Sequence, residues 1–539
     1  MKKKMLYTPC MLFLLIIQLC TAVWFCAQKQ GYHYDEYYSY YSSNVTYALV
    51  PTDMEWKDTK EIQSEFMVLE DEGLDYGMVK LMQSLDVHPP LYYYLLHTVC
   101  GLTKGVFSKW QGLSVNLLFF VLSWLVLLQI TKEITHNDKW KTMAVCALFG
   151  FSPAVFSGIT FIRMYMLLTF ECLLLLYVHV RAVIREKRTM AGFYLPVLLL
   201  SFIGFHTHYY FAVFLFFTAA STSLDLFFGK ETRRAAFGYA ASVLSGLILS
   251  VITYPACMRH IFRGYRGTEA QEAFFAVSNI WERLTFFFDL TNEYTFGSML
   301  TIWLLVMIIL GVTEKVIKNY RNLSEKHTEN AEKPVWQPDK KAVALTAVVT
   351  LGYFLVVAKT ALLNAEEAIR YEMPVYGLLI LLVVLLTTRQ LSFFETEKNR
   401  RWLAGFFIGV CILILFGEIY GLAKGKVCFL YPEDAENIAW AKEHEKEPVV
   451  YIYNTSNQWM IWDDSEELMQ YESIYFVSSD HTDVKQDARL SDAEHVYVYK
   501  MRGDAADETY KELKKENGGF NNSKLIRELL YCDLYEISR

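Results

Sequence analysis

The sequence predicts an all-α polytopic membrane protein of about eleven transmembrane helices, followed by a small α/β domain at the carboxyl end. Three observations predict it. Of 539 residues, 53% are hydrophobic and 16% aromatic. Several uncharged runs exceed the roughly 18 residues that separate a membrane span from a core helix. Basic residues then crowd alternate loops, as they do in polytopic proteins. A soluble multidomain protein is thereby excluded.

The first run, Met5 to Gln28, follows Met1-Lys2-Lys3-Lys4 and has the basic head of a signal peptide. It is too long for such a leader and lacks a clean small-x-small end, so it is read as an uncleaved first span. Further spans are expected at 110–131, 142–162 and 164–180, and as two crossings within 190–224 around His206 and His208. The remainder fall at 235–258, 294–313, 342–358, 373–388 and 402–423. The basic loops are Lys132 to Lys141, Arg181 to Arg188, Lys230 to Arg234, Lys315 to Lys341 and Arg389 to Arg401. By the positive-inside rule they belong in the cytoplasm, with the amino terminus. Val87 to Thr103 then cannot cross, and is read as a re-entrant or interfacial helix rich in tyrosine. The outer face receives loop 29–109, the turns at Arg163 and at His206 to His208, loop 259–293, the turn 359–372 and the tail. A multi-pass protein of the plasma membrane is expected.

The domain division expected is a transmembrane module at 1–424, including the first outer loop 29–109 with its juxtamembrane helices, and an extracytoplasmic domain at 425–539. In the tail, acidic helix-like stretches (Glu433 to Glu447, Asp504 to Glu516) alternate with apolar runs at Val449 to Tyr453, Ile474 to Val477 and Val496 to Tyr499. Helices between strands imply a parallel sheet. The net charge of -7 is carried by this tail and the first loop. The ten cysteines lie mostly within spans, where they pack as small polarizable hydrophobes, and no C-x-x-C spacing marks a metal site. Cys428 and Cys532, the two in the tail, are expected to pair if the tail is outside.

Five polar groups fall on the outer list. Tyr34-Asp35-Glu36 follows the first span; an isolated acidic pair is an ordinary solvated loop, but beside the bilayer and among aromatics a carboxylate can act as general base on a hydroxyl while rings pack against a sugar. In Asp86-Val87-His88-Pro89-Pro90-Leu91-Tyr92, the prolines start a short helix and set His88 at its amino end, where it can help hold an anion or simply cap. Arg163-Met164-Tyr165 lies between two apolar spans, where a charge is costly unless paired, functional or snorkelling. His206-Thr207-His208-Tyr209-Tyr210 forms another outer turn. Arg370-Tyr371, in Glu366 to Pro374, precedes a span at a depth suited to bidentate capture of phosphate. Arg259, Arg263 and Arg266 also suit an anionic head group. Glu171, inside a span, has no assigned role.

The acidic pair, the HPPLYY segment, the R-M-Y turn, the histidine-tyrosine turn and the late R-Y-x-x-P, in this order and on one side, resemble glycosyltransferase family 39. That family comprises protein O-mannosyltransferase-like enzymes and bacterial polyprenyl-phosphate-sugar transferases, in the GT-C superfamily. The resemblance covers roughly residues 1 to 390. It implies a GT-C fold, and that Asp35 matches the catalytic acid of the family's Asp-Glu motif, with Glu36 beside it. The turn at 161–165 offers no carboxylate, whereas some superfamily members hold a divalent metal there, so metal dependence is in doubt and no metal ligand is assigned.

The expected activity is inverting transfer of a sugar, hexosyl or pentosyl, from a polyprenyl-phosphate donor to a hydroxyl acceptor on the outer face. Asp35 would be the base; His88, Arg163, His208 and Arg370 would neutralise the departing phosphate. Tyr34, Tyr92, Tyr165, Tyr209 and Tyr371 would line the substrate. The partners are the lipid-linked sugar, an acceptor on protein, lipid or glycan, and membrane lipid, with no nucleic acid. Two alternatives stay open. A transporter or flippase would concentrate polar features at mid-membrane in two matching halves, and a polymerase or ligase of lipid-linked glycans would share the site.

Overall fold

Within hydrocarbon a chain must satisfy its own backbone hydrogen bonds, and an uncharged run achieves this as a helix. The computed structural model describes residues 2–45, 53–228, 233–324, 338–396, 398–480 and 483–539. Lys230, and 325–337 of the basic stretch Lys315 to Lys341, lie outside the described residues. Among those described, nine helices are long and apolar enough to cross a membrane: Tyr7–Gln28, Lys109–Ile134, Tyr165–Arg185, Phe211–Phe228, Arg233–Thr253, Leu300–Tyr320, Lys340–Thr360, Ala365–Phe394 and Arg400–Ala423. A tenth element is the pair Lys139–Phe151 and Pro153–Thr160, bent by 51°. Pro153 supplies no N–H to the preceding turn, so one helix ends and another starts at its first position. The shorter apolar helix Met190–Phe205 completes the set. Each expected crossing therefore has a helical counterpart.

One counterpart is displaced. The span expected at 294–313 runs over Leu300–Tyr320, because Ile280–Phe296 forms a helix of its own and stops at Gly297, whose φ is +54°. A side chain there would be strained, and its Cβ would meet the backbone of Gly417 at 2.3 Å. Val87 to Thr103 contains the 12-residue helix Leu91–Leu102, too short to cross.

The chain divides into two compact units. The first holds 1–27, 83–92 and 113–428; the second holds 28–82, 93–112 and 429–539. This division differs from the expected boundary at 424 in that most of the first loop joins the tail. Backbone pairing is the reason. Strand β1 (Glu55–Asp58) from that loop pairs antiparallel with β3 (Ser473–Ser478).

The sheet of the second unit has the order β1-β3-β2-β4-β6-β5, with β2 at Val449–Tyr453, β4 at His495–Met501, β5 at Asn522–Glu528 and β6 at Cys532–Ser538. The parallel centre, β3-β2-β4, is the expected one, as is the helix Asp504–Glu516. Alternate residues of β2 enter two cores: Val449 and Tyr451 pack with Tyr499 and Leu534, whereas Val450 and Ile452 pack with Val498 and Ile537. The antiparallel β5–β6 pair was not expected; β5 reads Asn-Ser-Lys-Leu-Ile-Arg-Glu, a polar edge strand without alternation. The expected disulfide is also absent. Cys428 and Cys532 are both free, Cys428 Sγ facing the Glu366 carbonyl oxygen at 3.9 Å and Cys532 Sγ lying 3.2 Å from Asp464 Oδ2.

Candidate active site

In the first unit, the two prolines after His88 start the helix Leu91–Leu102, and the Leu91 N–H donates to the His206 carbonyl at 3.0 Å. Two separate turns are thus joined by main chain. His88 Nδ1 lies 3.0 Å from Asp86 Oδ2, and its carbonyl accepts from the Tyr254 hydroxyl at 3.3 Å. Arg163 Nη2 lies 3.3 Å from His88 Nε2 and 3.5 Å from Nδ1. A position near-equidistant from both nitrogens sets the guanidinium against the imidazole instead of at one end of it. Burial pushes the Asp86 carboxyl up, but the hydrogen bond from His88 and the charges of His88 and Arg163 prevail and hold it below the usual carboxylate value.

The rings continue the cluster. His208 lies 6.1 Å from His88 and 5.6 Å from Tyr165 between ring centroids. Tyr165 is 5.9 Å from Tyr371 in an edge-to-face contact. Arg370 sits over Phe161 at 5.0 Å and Tyr371 at 5.2 Å, and its Nη2 donates to the Tyr371 hydroxyl at 3.3 Å. Both arginines are 3% exposed. Burial, and then the charges of His88 and Arg163, hold the His208 pKa well below its ordinary value. His208 Nδ1 accepts from the Tyr210 N–H at 3.0 Å, so the neutral ring keeps its proton on Nε2 and offers a donor, not a charge. His88, Arg163, His208, Tyr165, Tyr371 and Arg370 are therefore one continuous group. Tyr92 is fully buried, and Tyr209 turns to His260, its hydroxyl 2.8 Å from Nδ1.

The acidic pair belongs to the second unit. His33 caps the helix Tyr34–Asn44: its Nδ1 accepts the Asp35 N–H at 3.0 Å, and Glu36 Oε2 accepts the His33 N–H at 2.7 Å. Glu36 also takes a 2.8 Å hydrogen bond from Lys29, both side chains being 0% exposed. The two acids thus differ in kind. Glu36 is shut inside and fixes the helix start, while Asp35 is 22% exposed, with Oδ2 3.7 Å from His33 Nδ1. Tyr34 stands beside Trp459, centroids 6.0 Å apart.

No family model matches the sequence, and no curated protein does. Among solved structures, ArnT from Cupriavidus metallidurans bound to undecaprenyl phosphate aligns with a TM-score of 0.50 at 10% identity, over 98% of this chain and 98% of that chain. The chain has the GT-C fold. The archaeal oligosaccharyltransferase AglB from Archaeoglobus fulgidus, in complex with an inhibitory peptide and a dolichol-phosphate, aligns at 11% identity over 94% of this chain and 71% of that one, with a TM-score of 0.42. The resemblance read from the motifs is met at the level of the GT-C fold; family 39 is not reached.

Within this GT-C fold, sequence reading passed over three neighbours of the phosphate-binding candidates. Asp86 had a visible signal, its Asp-x-His spacing to His88. Tyr254 and His260 had none, since they come from a distant segment. Among the described residues, no three His, Cys, Asp or Glu side chains are grouped as a metal site requires.

Proposed function

We propose that the chain transfers a sugar from a polyprenyl-phosphate donor to a hydroxyl acceptor at the outer face of the membrane, inverting the anomeric carbon. The observation that carries this reading is the clustering of two buried arginines with two histidines and two tyrosines in the first unit. Buried cations in a chain of membrane spans are costly unless anions balance them; Arg370 Nη1 lies 3.7 Å from Glu367 Oε2 and the charge of Arg163 acts on Asp86, so a phosphate would join a cluster that already holds two carboxylates. The ArnT structure with the same fold is bound to undecaprenyl phosphate, which supports a polyprenyl phosphate as that anion.

The chemistry assigned is a single displacement. Asp35 accepts the proton of the acceptor hydroxyl, and the freed oxygen pair attacks the anomeric carbon. The bond from that carbon to the phosphate oxygen breaks, its electron pair leaving with the carrier phosphate. Arg163, Arg370 and His88 stabilise that charge as it develops, and the Nε2–H of His208 donates to it. One displacement gives inversion. Glu36 holds the helix that carries Asp35, Tyr165 and Tyr371 line the donor, and the protein works in the plasma membrane.

The test is an assay of purified protein in lipid with a panel of polyprenyl-phosphate sugars, following release of free polyprenyl phosphate. At least one donor is expected to be turned over. If every donor is left intact while one is carried across sealed vesicles, the chain is a transporter.

A further inference from the structure

We infer that Tyr34, Trp459 and Tyr531 form a carbohydrate-binding platform flanked by Asp463, and that its occupant is the glycan acceptor of the transfer proposed above, on which reading the inference rests. The three rings come from three segments of the second unit: the start of helix Tyr34–Asn44, the 3-10 segment Thr455–Asp464, and the connection between β5 and β6. They form one row, with Tyr34 and Trp459 6.0 Å apart at 51° and Trp459 and Tyr531 5.6 Å apart at 75°.

The row ends a seam whose other members are spent on folding. Tyr34, Tyr38 and Tyr41 follow one helix face. Tyr38 and Tyr41 close over Trp462 at 4.6 and 5.0 Å, and Trp462 is 3% exposed. Tyr34, Trp459 and Tyr531 instead remain partly open to solvent. Half-open rings present apolar faces, and the axial C–H faces of a pyranose are the complementary surface.

The polar complement is Asp463. Its Oδ2 is buried with no hydrogen-bond donor among the described residues. An unsatisfied buried acceptor is costly, and a ligand hydroxyl can answer it. The Asp463 carboxylate acts on both His33 and Tyr531, and burial pushes it up to about 6. Asp35 is on His33 as well, at 3.7 Å. Two carboxylate acceptors beside a row of rings suit a polyol that stacks one face and donates two hydroxyls. They also disfavour a phosphorylated acceptor, because both flanking charges are negative.

The experiment is saturation-transfer NMR on the full chain in lipid nanodiscs, with maltose, lactose and chitobiose as probes, and with glucose 6-phosphate and a serine- and threonine-rich peptide as controls. At least one disaccharide is expected to gain saturation on its ring protons. That signal should fall about tenfold or more in Trp459→Ala and Tyr531→Ala, and persist in Trp459→Phe, where a ring is kept. Thermal midpoints of the variants show that each is folded, and Trp459→Phe keeps the test open if Trp459→Ala is not. If no disaccharide binds the wild type, if Trp459→Ala and Tyr531→Ala leave binding unchanged, or if the peptide signal is the one lost, the inference is overturned. Release of polyprenyl phosphate by the wild type is measured in parallel. Turnover without sugar binding removes the platform and leaves the transferase; sugar binding without turnover removes the transferase, and with it the acceptor role.

Discussion

Arg370 and Asp35 carry charges of opposite sign in different settings, and their substitutions should fail in different ways. Arg370 is 3% exposed, against the rings of Phe161 and Tyr371 and 3.7 Å from Glu367, and its proposed role is to hold the donor phosphate throughout the reaction. Asp35 is partly open, and as the proposed base it would be needed only when the acceptor proton moves. Asp35→Asn should lower turnover by about 10²- to 10⁴-fold, the usual share of a positioned general base, with donor affinity nearly unchanged. Arg370→Ala should weaken equilibrium donor binding as well as turnover, since a phosphate contact exists before and during bond cleavage. Donor binding and carrier release, measured separately, check both. An Asp35→Asn protein that no longer binds donor would remove Asp35 from the role of base.

At the scale of the element, the helix Tyr34–Asn44 depends on a buried ion pair. Lys29 and Glu36 are both 0% exposed, 2.8 Å apart, and Lys29 also donates to the Phe429 carbonyl at 2.6 Å. Removing one partner leaves an uncompensated buried charge, so Lys29→Met should destabilise the second unit by about 3–5 kcal/mol. Glu36→Gln added to it should recover part of the loss in a thermal melt.

The same unit has acids whose burial is not offset. Burial raises Glu466 to about 7 in spite of a hydrogen bond from Tyr37, and raises Asp464 to about 7 in spite of one from Tyr451. Between the ordinary carboxylate values and about 7 the folded unit therefore holds more protons than the unfolded chain, and stability falls as pH rises through that window. The thermal midpoint of the second unit should be higher at about pH 5.5 than at about pH 8. Glu466→Gln should narrow the gap; a gap equal to that of the wild type would show that Glu466 does not titrate there.

For the whole molecule, the basic loops predict an orientation that labelling can check. Cysteines introduced near Glu65 and Asp504 should react with an impermeant reagent in sealed cells, and one near Lys333, outside the described residues, should not. Labelling at Lys333 would invert the topology and put the acidic pair on the wrong side for an outer-face transfer.

The spans were legible because hydrocarbon imposes length and apolarity on each segment separately, a local rule that a single chain states openly. So were the three parallel strands of the tail, whose apolar runs are bounded by acidic helices. The polar edge strand β5, the four residues of β1 and the union of the first loop with the tail were not, because pairing partners far apart in sequence decide them. At the site, Arg163, Arg370, His88 and His208 were visible as charges or imidazoles where an apolar setting makes them expensive. That Asp86 and Tyr254 hold His88, that His208 is a neutral donor, and that Glu36 is walled in by Lys29 while Asp35 is only partly buried were decided by tertiary structure alone. Burial and neighbouring charge set a group's protonation and partners, and both are properties of space, which sequence order does not carry.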